Sequence, residues 1–321
     1  MGELILHHYP ESPFAEKVRL LLGHKGLAWR SVRIPIVMPK PDLVALTGGY
    51  RRTPVLQVGA DVYCDTALIA RVLERLHPAP PVFSDRSAIS DVALAHFADQ
   101  QLFAAAVAYA FQPPGIQAMF SHMTPVQMQG FVEDRRNFRK GGSAPRMPAA
   151  EATAALLNLL PRLDAQLSDG RRFLDGDAAR ICDFSVYHPL WFVRQAGPMA
   201  SILEPYPHLR GWLGRMAAIG HGEPRELGSA EAIAIARDAE PAMLPGRSMR
   251  EIDALGVGDQ VTVAPTDYGV DPVPGTLVDA DADSIAIRRS DPRAGDVVVH
   301  FPRLGYRIAR VEEPGPTGRP A

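Results

Sequence analysis

The chain has 321 residues, of which 46% are hydrophobic and 22% are charged. At ~100–200 residues per domain, this length predicts two or three globular domains. The 34 basic and 36 acidic residues leave a net charge of -2, so neither nucleic acid nor a membrane is expected as a partner. No stretch approaches the ~20 apolar residues that span a bilayer, and the start MGELILHHYPES lacks the regions of a signal peptide. We therefore expect a cytoplasmic protein.

The first part of the sequence predicts alternating strands and helices. In chain order these are strand 3–7, helix 13–26, strand 29–36, loop 38–52 with one helical turn, hairpin 53–64 and helix 65–78. Ser12 followed by Pro13 is a helix-start signal, because serine can accept from free amides and proline is tolerated at the first position. Strand–helix–strand followed by hairpin–helix is the thioredoxin-like order.

The rest of the chain first becomes helical and then rich in strands. After a proline-rich linker at 78–85, helical patterns dominate to residue 222, and Pro161 is expected to bend or interrupt the helix 149–170. Five short β-type runs separated by turn residues lie between 257 and 309, which predicts a small barrel or sandwich. The tail 312–321 is expected to be disordered.

We thus predict a fold that is α/β plus all-α, with a small β-barrel-like C-terminal extension. The predicted domains are a thioredoxin-like domain at 1–78, an all-helical domain at 84–240 and a β-rich domain of unknown role at 246–312.

The histidines and cysteines give no metal signal. His7 and His8 are neighbours in a predicted strand, so their side chains should point to opposite faces of the sheet. Cys64 and Cys182 lie far apart and form no CxxC spacing, which excludes the usual disulfide or zinc patterns. Cys64 is expected to be buried and unreactive. The sequence therefore predicts no bound metal.

Four segments, in the same order as in the family, resemble the cytosolic glutathione transferases of the serine type. They are HHYPESPFAEKVRLLLGHKGL for the first strand, catalytic loop and first helix, RRTPVL for the proline turn, CDTALIARVLE for the acidic-hydroxyl pair, and FLDGDAARICDFSVYHPLW with YPHLRGWLGRM for the helical domain. The resemblance covers residues 1–225 and implies glutathione as a co-substrate.

The resemblance implies that Ser12 donates a hydrogen bond to the glutathione sulfur, with the N-terminus of the first helix adding positive charge. A purely structural helix cap is the other interpretation of Ser12. Tyr9 is the alternative thiol activator, because tyrosine has this role in other classes of the family.

The resemblance also implies how glutathione is held. A cis Thr53–Pro54 bond would leave the Thr53 backbone to pair with the cysteinyl part, while Asp65 and Thr66 would hold the γ-glutamyl end at a helix start. The family usually has Glu–Ser here, and aspartate is one methylene shorter. The candidates for binding the glycyl carboxylate are Arg52 and Lys40, although a solvated arginine is an equal interpretation of Arg52.

The electrophile pocket is predicted to be apolar. Its candidate lining is Phe14, Phe103, Tyr109 and Phe111, with Met119 beside them. Aromatic and methionine residues at helical spacing also serve as ordinary core, so this interpretation stays open.

In the helical domain, Asp183 matches the acidic residue of the family's capping box. Arg180 stands where the partner Ser or Thr is usual, so the helix start must be satisfied in another way.

The predicted function is conjugation or reduction of electrophilic small molecules with the glutathione thiolate, as in detoxification. The alternative is a non-catalytic binding or scaffold protein that keeps the fold, since fold alone does not settle function. The resemblance further implies a homodimer. The β-rich region carries arginines and aspartates in mixed order, unlike the basic face of a nucleic-acid binder, and a structural or regulatory role is expected for it.

Overall fold

The computed structural model describes residues 2–83, 88–144, 146–248 and 254–311. The tail predicted to be disordered lies outside these ranges. The strands are β1 Leu4–His8, β2 Ala28–Arg33, β3 Val55–Val58, β4 Asp61–Cys64, β5 Glu223–Glu226, β6 Gln260–Pro265, β7 Val273–Ala280, β8 Ser284–Asp291, β9 Gly295–Pro302 and β10 Tyr306–Arg310. The helices are α1 Pro13–His24, α2 Pro41–Thr47, α3 Thr66–Leu76, α4 Ala88–Phe97, α5 Phe103–Ala110, α6 Pro113–Phe120, α7 Pro125–Arg139, α8 Ala149–Leu167, α9 Ile181–Gln195, α10 Pro207–Ala217 and α11 Ser229–Arg237.

The thioredoxin-like part has the predicted order. β1 runs parallel to β2 and antiparallel to β3, and β3 and β4 form the predicted hairpin. Ser12 caps α1, and the apolar stripe of α1 that includes Val18, Leu21 and Leu22 is completely buried. This stripe packs into one core with residues of α3 and of the helical domain, so burial of its apolar face fixes the position of α1.

The structure corrects two local expectations, on the extent of a helix at 38–52 and on an interruption at Pro161. The segment 38–52 contains a true helix, α2, which starts at Pro41 and ends at Gly48 in the left-handed conformation with φ 75. A helix this short is marginally stable by itself, and burial of Leu43 and Leu46 stabilises it. Helix α8 continues through Pro161 without interruption. Proline removes one backbone donor, but the completely buried Leu156 and Leu160 hold this stretch of the helix in the core.

The helical part is organised around the carboxylate of Asp183, which is 0% exposed. It accepts hydrogen bonds from the backbone N–H of Leu174 at 2.8 Å and of Arg180 at 2.9 Å, and from Trp212 Nε1 at 2.8 Å. The Arg180 backbone carbonyl accepts from the Asp183 N–H at 2.9 Å. Backbone groups thus complete the helix start where the usual hydroxyl is absent. Among the described residues, every helix is too short or too polar to traverse a bilayer.

After α10 the chain returns to the sheet, which the sequence did not indicate. β5 pairs in parallel with β2, and α11 buries Ala232, Ile233 and Ala236 in the core on that side. The region predicted as entirely helical at 84–240 therefore contains a strand and a helix that belong to the sheet layer. β5 has the sequence EPRE and is exposed throughout, so it carries none of the apolar alternation from which strands are recognised.

The C-terminal strands form the order β10–β6–β7–β8–β9, with β10 returning to pair with β6. The predicted strand-rich C-terminal region is confirmed, but its strands follow an open order, and the strand β9 has a further partner. β9 pairs in parallel with β4 in the register Asp61 to Val298. The described strands thereby join into one ten-stranded sheet. His300 Nε2 and Asp61 Oδ1 lie 2.7 Å apart across this junction.

The C-terminal strands also share a core with the thioredoxin-like part. Buried residues from both regions, such as Ile5, Val62, Val261 and Val299, pack in one cluster. Tyr306 of β10 lies beside Asp65 at the start of α3, and the β6–β7 loop, residues 266–272, lies against Arg52.

Candidate functional site

The predicted site segments meet at one edge of the sheet. The register places His7 opposite Val55 and Val55 opposite Cys64. The end of β1, the start of β3 and the end of β4 are therefore neighbours, and the segments attached to them lie together. These are the loop with Ser12, the Thr53–Pro54 turn and the Asp65–Thr66 pair. The Thr53–Pro54 bond is cis, which confirms that prediction.

Ser12 and Tyr9, the two candidate thiol activators, form a pair. Ser12 is 2% exposed, and its Oγ accepts the Ala15 N–H at 3.2 Å. A hydroxyl that accepts in this way still has its own proton to donate. The Tyr9 hydroxyl lies near the side chains of Ser12 and Arg135. Burial raises the pKa of Tyr9, and the Arg135 charge and the Ser12 side chain only partly oppose this, so Tyr9 stays protonated at neutral pH.

Arg135 of α7 is a site neighbour that the sequence did not indicate. Its Nη2 donates to the Ile36 carbonyl at 2.9 Å and to Asp134 Oδ2 at 2.6 Å. Nothing local distinguishes it from the other arginines of α7, and it reaches the site through its contact with Ile36, in the loop that follows β2.

Lys40 lies beside the same loop. Its Nζ donates to Thr53 Oγ1 at 3.3 Å and stands 5.6 Å from the centre of the Tyr9 ring. Burial, reinforced by the nearby Arg135 charge, lowers the pKa of Lys40 to about 8. Lys40 therefore titrates close to neutral pH, unlike an ordinary lysine.

Asp65 and Thr66 stand at the start of α3 as predicted. Asp65 adopts φ 76, and its Oδ1 accepts the Ala67 N–H at 3.0 Å. Thr66 Oγ1 accepts from Lys17 Nζ at 3.3 Å. Lys17 is itself buried and holds the Thr66 hydroxyl from inside the protein.

Lys17 belongs to a buried network that sequence reasoning missed. Its Nζ pairs with Asp99 Oδ2 at 2.7 Å, and Asp99 Oδ1 lies 2.9 Å from His188 Nε2. Burial acts to raise the pKa of Asp99, but Lys17 and His188 outweigh it and lower the pKa to about 2. Asp99 lies in a single π-helical turn, residues 98–102, between α4 and α5. Such turns often occur at functional sites, but nothing in the sequence predicts this one.

Arg52 makes different contacts from those expected. Its guanidinium pairs with the Asp267 carboxylate, and its Nη2 donates to the Tyr268 carbonyl at 2.7 Å. The Tyr268 ring lies 4.2 Å from the guanidinium carbon. The Tyr306 hydroxyl donates to Asp65 Oδ2 at 3.1 Å. Two of the predicted glutathione-binding residues are thus in contact with the C-terminal region.

The four predicted pocket residues are divided among three places. The Phe14 and Phe103 ring centres are 4.6 Å apart, and both rings pack on His188. Phe111 instead packs with the rings of Phe120, Phe131 and Phe192. Met119 packs against the same group.

Tyr109 lies buried in the main helical core. Phe14 and Phe103 therefore remain the candidates for an apolar wall near Ser12. The Phe131 ring lies 5.3 Å from the guanidinium carbon of Arg135, so the Phe111 group lies beside Arg135.

Cys64, His7 and His8 are buried and contact other parts of the protein interior. Cys64 is completely buried, and burial raises the pKa of its thiol well above the usual value. His7 bonds to Gln57 at 2.8 Å, and His8 to Ser31 at 3.0 Å. Within the described ranges, no three His, Cys, Asp or Glu side chains are grouped so as to hold a metal.

Two family models and a solved structure identify the same protein family. Residues 6–81 match the family "Glutathione S-transferase, N-terminal domain", and residues 146–215 match "Glutathione S-transferase, C-terminal domain". The crystal structure of a GST-like protein from Pseudomonas syringae is 43% identical. It aligns over 97% of this chain and 100% of its own, with a TM-score of 0.82.

More distant structures share the fold of the first two thirds. A glutathione S-transferase from Rhodospirillum rubrum F11 is 20% identical over 67% of this chain and 88% of its own, with a TM-score of 0.50. The beta-etherase LigF from Sphingobium sp. strain SYK-6 is 17% identical over 67% of this chain and 95% of its own, also with a TM-score of 0.50. No curated protein matches the chain.

Proposed function

Because this chain belongs to the glutathione S-transferase family, we propose that it binds glutathione and uses the thiolate to conjugate or reduce electrophilic small molecules. The observation that carries this proposal is the meeting of three segments at one sheet edge: the Ser12 loop, the cis Thr53–Pro54 turn and the Asp65–Thr66 helix start. Together they offer a hydroxyl donor, an extended backbone segment and a helix N-terminus, which match a thiol, a peptide and a carboxylate.

In the proposed mechanism the chain acts mainly on the thiol pKa. The Ser12 hydroxyl donates to the sulfur, and the N-terminus of α1 adds a positive partial charge. Both favour the thiolate over the thiol, whose ordinary pKa is ~8.5. Tyr9, whose hydroxyl lies near Ser12, acts through it as a positioning residue. Phe14 and Phe103 supply the apolar surface for the electrophile.

The rest of the site holds the peptide. The Thr53 backbone lies just ahead of β3, outside the strand pairing, and in this proposal it pairs with the cysteinyl unit. Thr66 and the free amides of α3 bind the γ-glutamyl carboxylate, and Lys17 orients the Thr66 hydroxyl from behind. Asp65 binds the γ-glutamyl ammonium group. Lys40 provides a cation near the glycyl end.

Calorimetric titration with glutathione tests the proposal, together with conjugation of the model electrophile 1-chloro-2,4-dinitrobenzene. We expect saturable heat with glutathione, none with the control cysteinylglycine, which lacks the γ-glutamyl unit, and product formation above the uncatalysed rate. A titration with no heat would refute the proposed site.

The contacts of Arg52 and Asp65 with the C-terminal region favour a second candidate, a non-catalytic binding or scaffold protein. Glutathione binding without turnover of any electrophile would support it. We also propose a homodimer in the cytoplasm. The exposed Ile89 and Phe97 of α4 offer an apolar surface for subunit contact.

The affinity for the ligand should fall as the pH rises through the Lys40 titration. Lys40 has a pKa of about 8, so its charge is present below pH 8 and lost above it. Between pH 6.5 and 8.5 we expect about a fourfold weaker affinity for S-methylglutathione. This analogue avoids titration of the thiol itself.

Calorimetry at several pH values measures this effect. Lys40→Arg should remove the pH dependence and keep the affinity, while Lys40→Met should weaken binding equally at all these pH values. The same fourfold change in Lys40→Met would contradict a role for this ammonium.

A further inference from the structure

Tyr306 of β10 places its hydroxyl against the carboxylate of Asp65. This hydroxyl donates to Asp65 Oδ2 at 3.1 Å, and the Tyr50 hydroxyl lies 2.9 Å from it. An ionised carboxylate can only accept and a phenol has one proton, so Tyr50 is the donor in the second bond. The three groups thus form a chain of hydrogen bonds that runs from Tyr50 through Tyr306 to Asp65.

The two tyrosines are fixed by packing. Tyr50 is 2% exposed and Tyr306 is 8% exposed, and the centres of their rings lie 5.9 and 5.7 Å from the ring of Phe301. In the sheet, Tyr306 pairs with Pro265 of β6. Burial and the Asp65 charge raise the pKa of Tyr306 well above its ordinary value, so its hydroxyl stays protonated at neutral pH. The C-terminal region therefore presents a fixed hydrogen-bond donor to Asp65.

Asp65 can still accept a group of a ligand in this arrangement. Its Oδ1 accepts the Ala67 N–H at 3.0 Å, and its Oδ2 accepts the Tyr306 hydroxyl. A carboxylate offers about four acceptor positions, and 23% of the Asp65 side chain remains exposed. The protein thus orients this carboxylate and leaves it accessible.

The charges around Asp65 favour a cation. Arg52 Nη1 lies 3.8 Å from Asp65 Oδ2, but the same guanidinium also pairs with the Asp267 carboxylate. One guanidinium shared by two carboxylates leaves the three side chains with a net negative charge. An ammonium group beside Asp65 compensates this charge, whereas an anion there is repelled.

We infer that the C-terminal region completes the γ-glutamyl end of the site, with Tyr306 as a positioning residue that fixes the Asp65 carboxylate for the ammonium group of the ligand. This inference rests on the proposed glutathione site. A mobile aspartate must be ordered when the ligand binds, and this ordering weakens the affinity. Because Tyr306 holds Asp65 before the ligand arrives, that loss is avoided. The gain is limited to ligands that carry the ammonium group.

The experiment compares glutathione with glutaryl-cysteinylglycine, which lacks only the γ-glutamyl ammonium group. Calorimetry gives the ratio of the two affinities for the native protein, Tyr306→Phe, Asp65→Asn and the double variant. Tyr306→Phe keeps the ring and should lower the preference for glutathione about fivefold, the effect of leaving one side chain to be ordered on binding. In the Asp65→Asn background, Tyr306→Phe should cause no further change, because Tyr306 acts through this carboxylate.

The matched control is Tyr63→Phe, which should keep the native preference. Tyr63 is also buried, and its ring stacks on His300 of β9 with the ring centres 4.4 Å apart. It therefore contacts the C-terminal region as Tyr306 contacts the thioredoxin-like part, but at a different place. A loss of preference in Tyr63→Phe equal to that in Tyr306→Phe would mean that any weakening of this junction has the effect, and would overturn the inference.

A second measurement decides if Tyr306→Phe does not fold, as judged by circular dichroism. Tyr306→fluorotyrosine keeps the hydroxyl, and its fluorine NMR signal reports the charge near the phenol. This signal should shift when glutathione is added and much less with glutaryl-cysteinylglycine. Equal shifts with the two ligands would contradict the positioning role.

The possible results separate this inference from the proposed function. An unchanged preference in Tyr306→Phe, or an equal loss of affinity for both ligands, would overturn the inference and leave the glutathione site standing. A native protein that binds both ligands equally well would do the same. Absence of glutathione binding in the native protein would refute the proposed function itself.

Discussion

Replacement of Ser12 by alanine is expected to lower kcat for glutathione conjugation about 100-fold. This is the usual effect of removing one hydrogen-bond donor from an anion in an active site, which here is the glutathione thiolate. The affinity for glutathione should change less than about threefold, because the peptide is held elsewhere, at Thr53, Asp65 and Thr66. The Ser12 Oγ accepts from Ala15 and has one proton to give. In the proposed site that proton is the direct donor to the sulfur.

Steady-state kinetics and calorimetry on the same preparations measure this split between kcat and affinity. Tyr9→Phe should cost less, about tenfold, because Tyr9 is expected to act through Ser12. The matched control is Ser201→Ala, which should leave kcat unchanged. Ser201 is exposed and distant from Ser12 in sequence, and its hydroxyl donates to the Pro198 carbonyl. Equal losses of kcat and affinity in Ser12→Ala would mean that Ser12 is only a cap. A larger loss in Tyr9→Phe than in Ser12→Ala would make Tyr9 the thiol activator.

The loss of the C-terminal strands is expected to abolish folding of the whole protein. A chain ending at residue 245 lacks β6–β10 and exposes the apolar side chains of Ile5, Val55 and Val62, which pack against those strands. It also leaves the β4 edge and Asp61 without their partners in β9. Each buried aliphatic side chain contributes about 1.5–3 kcal/mol, and a domain is stable by only about 5–15 kcal/mol. Loss of several such contacts therefore exceeds the available stability.

Thermal melting followed by circular dichroism measures this result. We expect no cooperative transition for the shortened chain, while a control chain ending at residue 311, which keeps all described strands, should melt like the native protein. A cooperative transition near the native melting temperature in the shortened chain would show that the predicted boundary at 246 separates independent domains after all.

The parts of the site that the sequence predicted are all local. Ser12 precedes a proline that starts a helix, Thr53–Pro54 precedes a strand, and Asp65–Thr66 precedes an amphipathic helix. Each signal lies within a few residues, where capping and turn chemistry act. Apart from Lys17 of α1, the partners missed by sequence reasoning come from distant elements. Asp99 and Arg135 belong to the helical part and Asp267 to the C-terminal region, and nothing in their immediate sequence ties them to β1 or α3.

The sequence by itself determined most of the elements, though not β5, and the segments that carry the proposed chemistry, because hydrophobic period and helix-start residues are properties of neighbouring positions. It also determined that the chain would end in short antiparallel strands. Only the tertiary structure decided that β9 joins β4 and that the β6–β7 loop meets Arg52. In both cases the partners are separated by more than 200 residues of chain. Their contact depends on which sheet edges pair and which apolar faces are buried together in the shared core, and local sequence preference does not specify this.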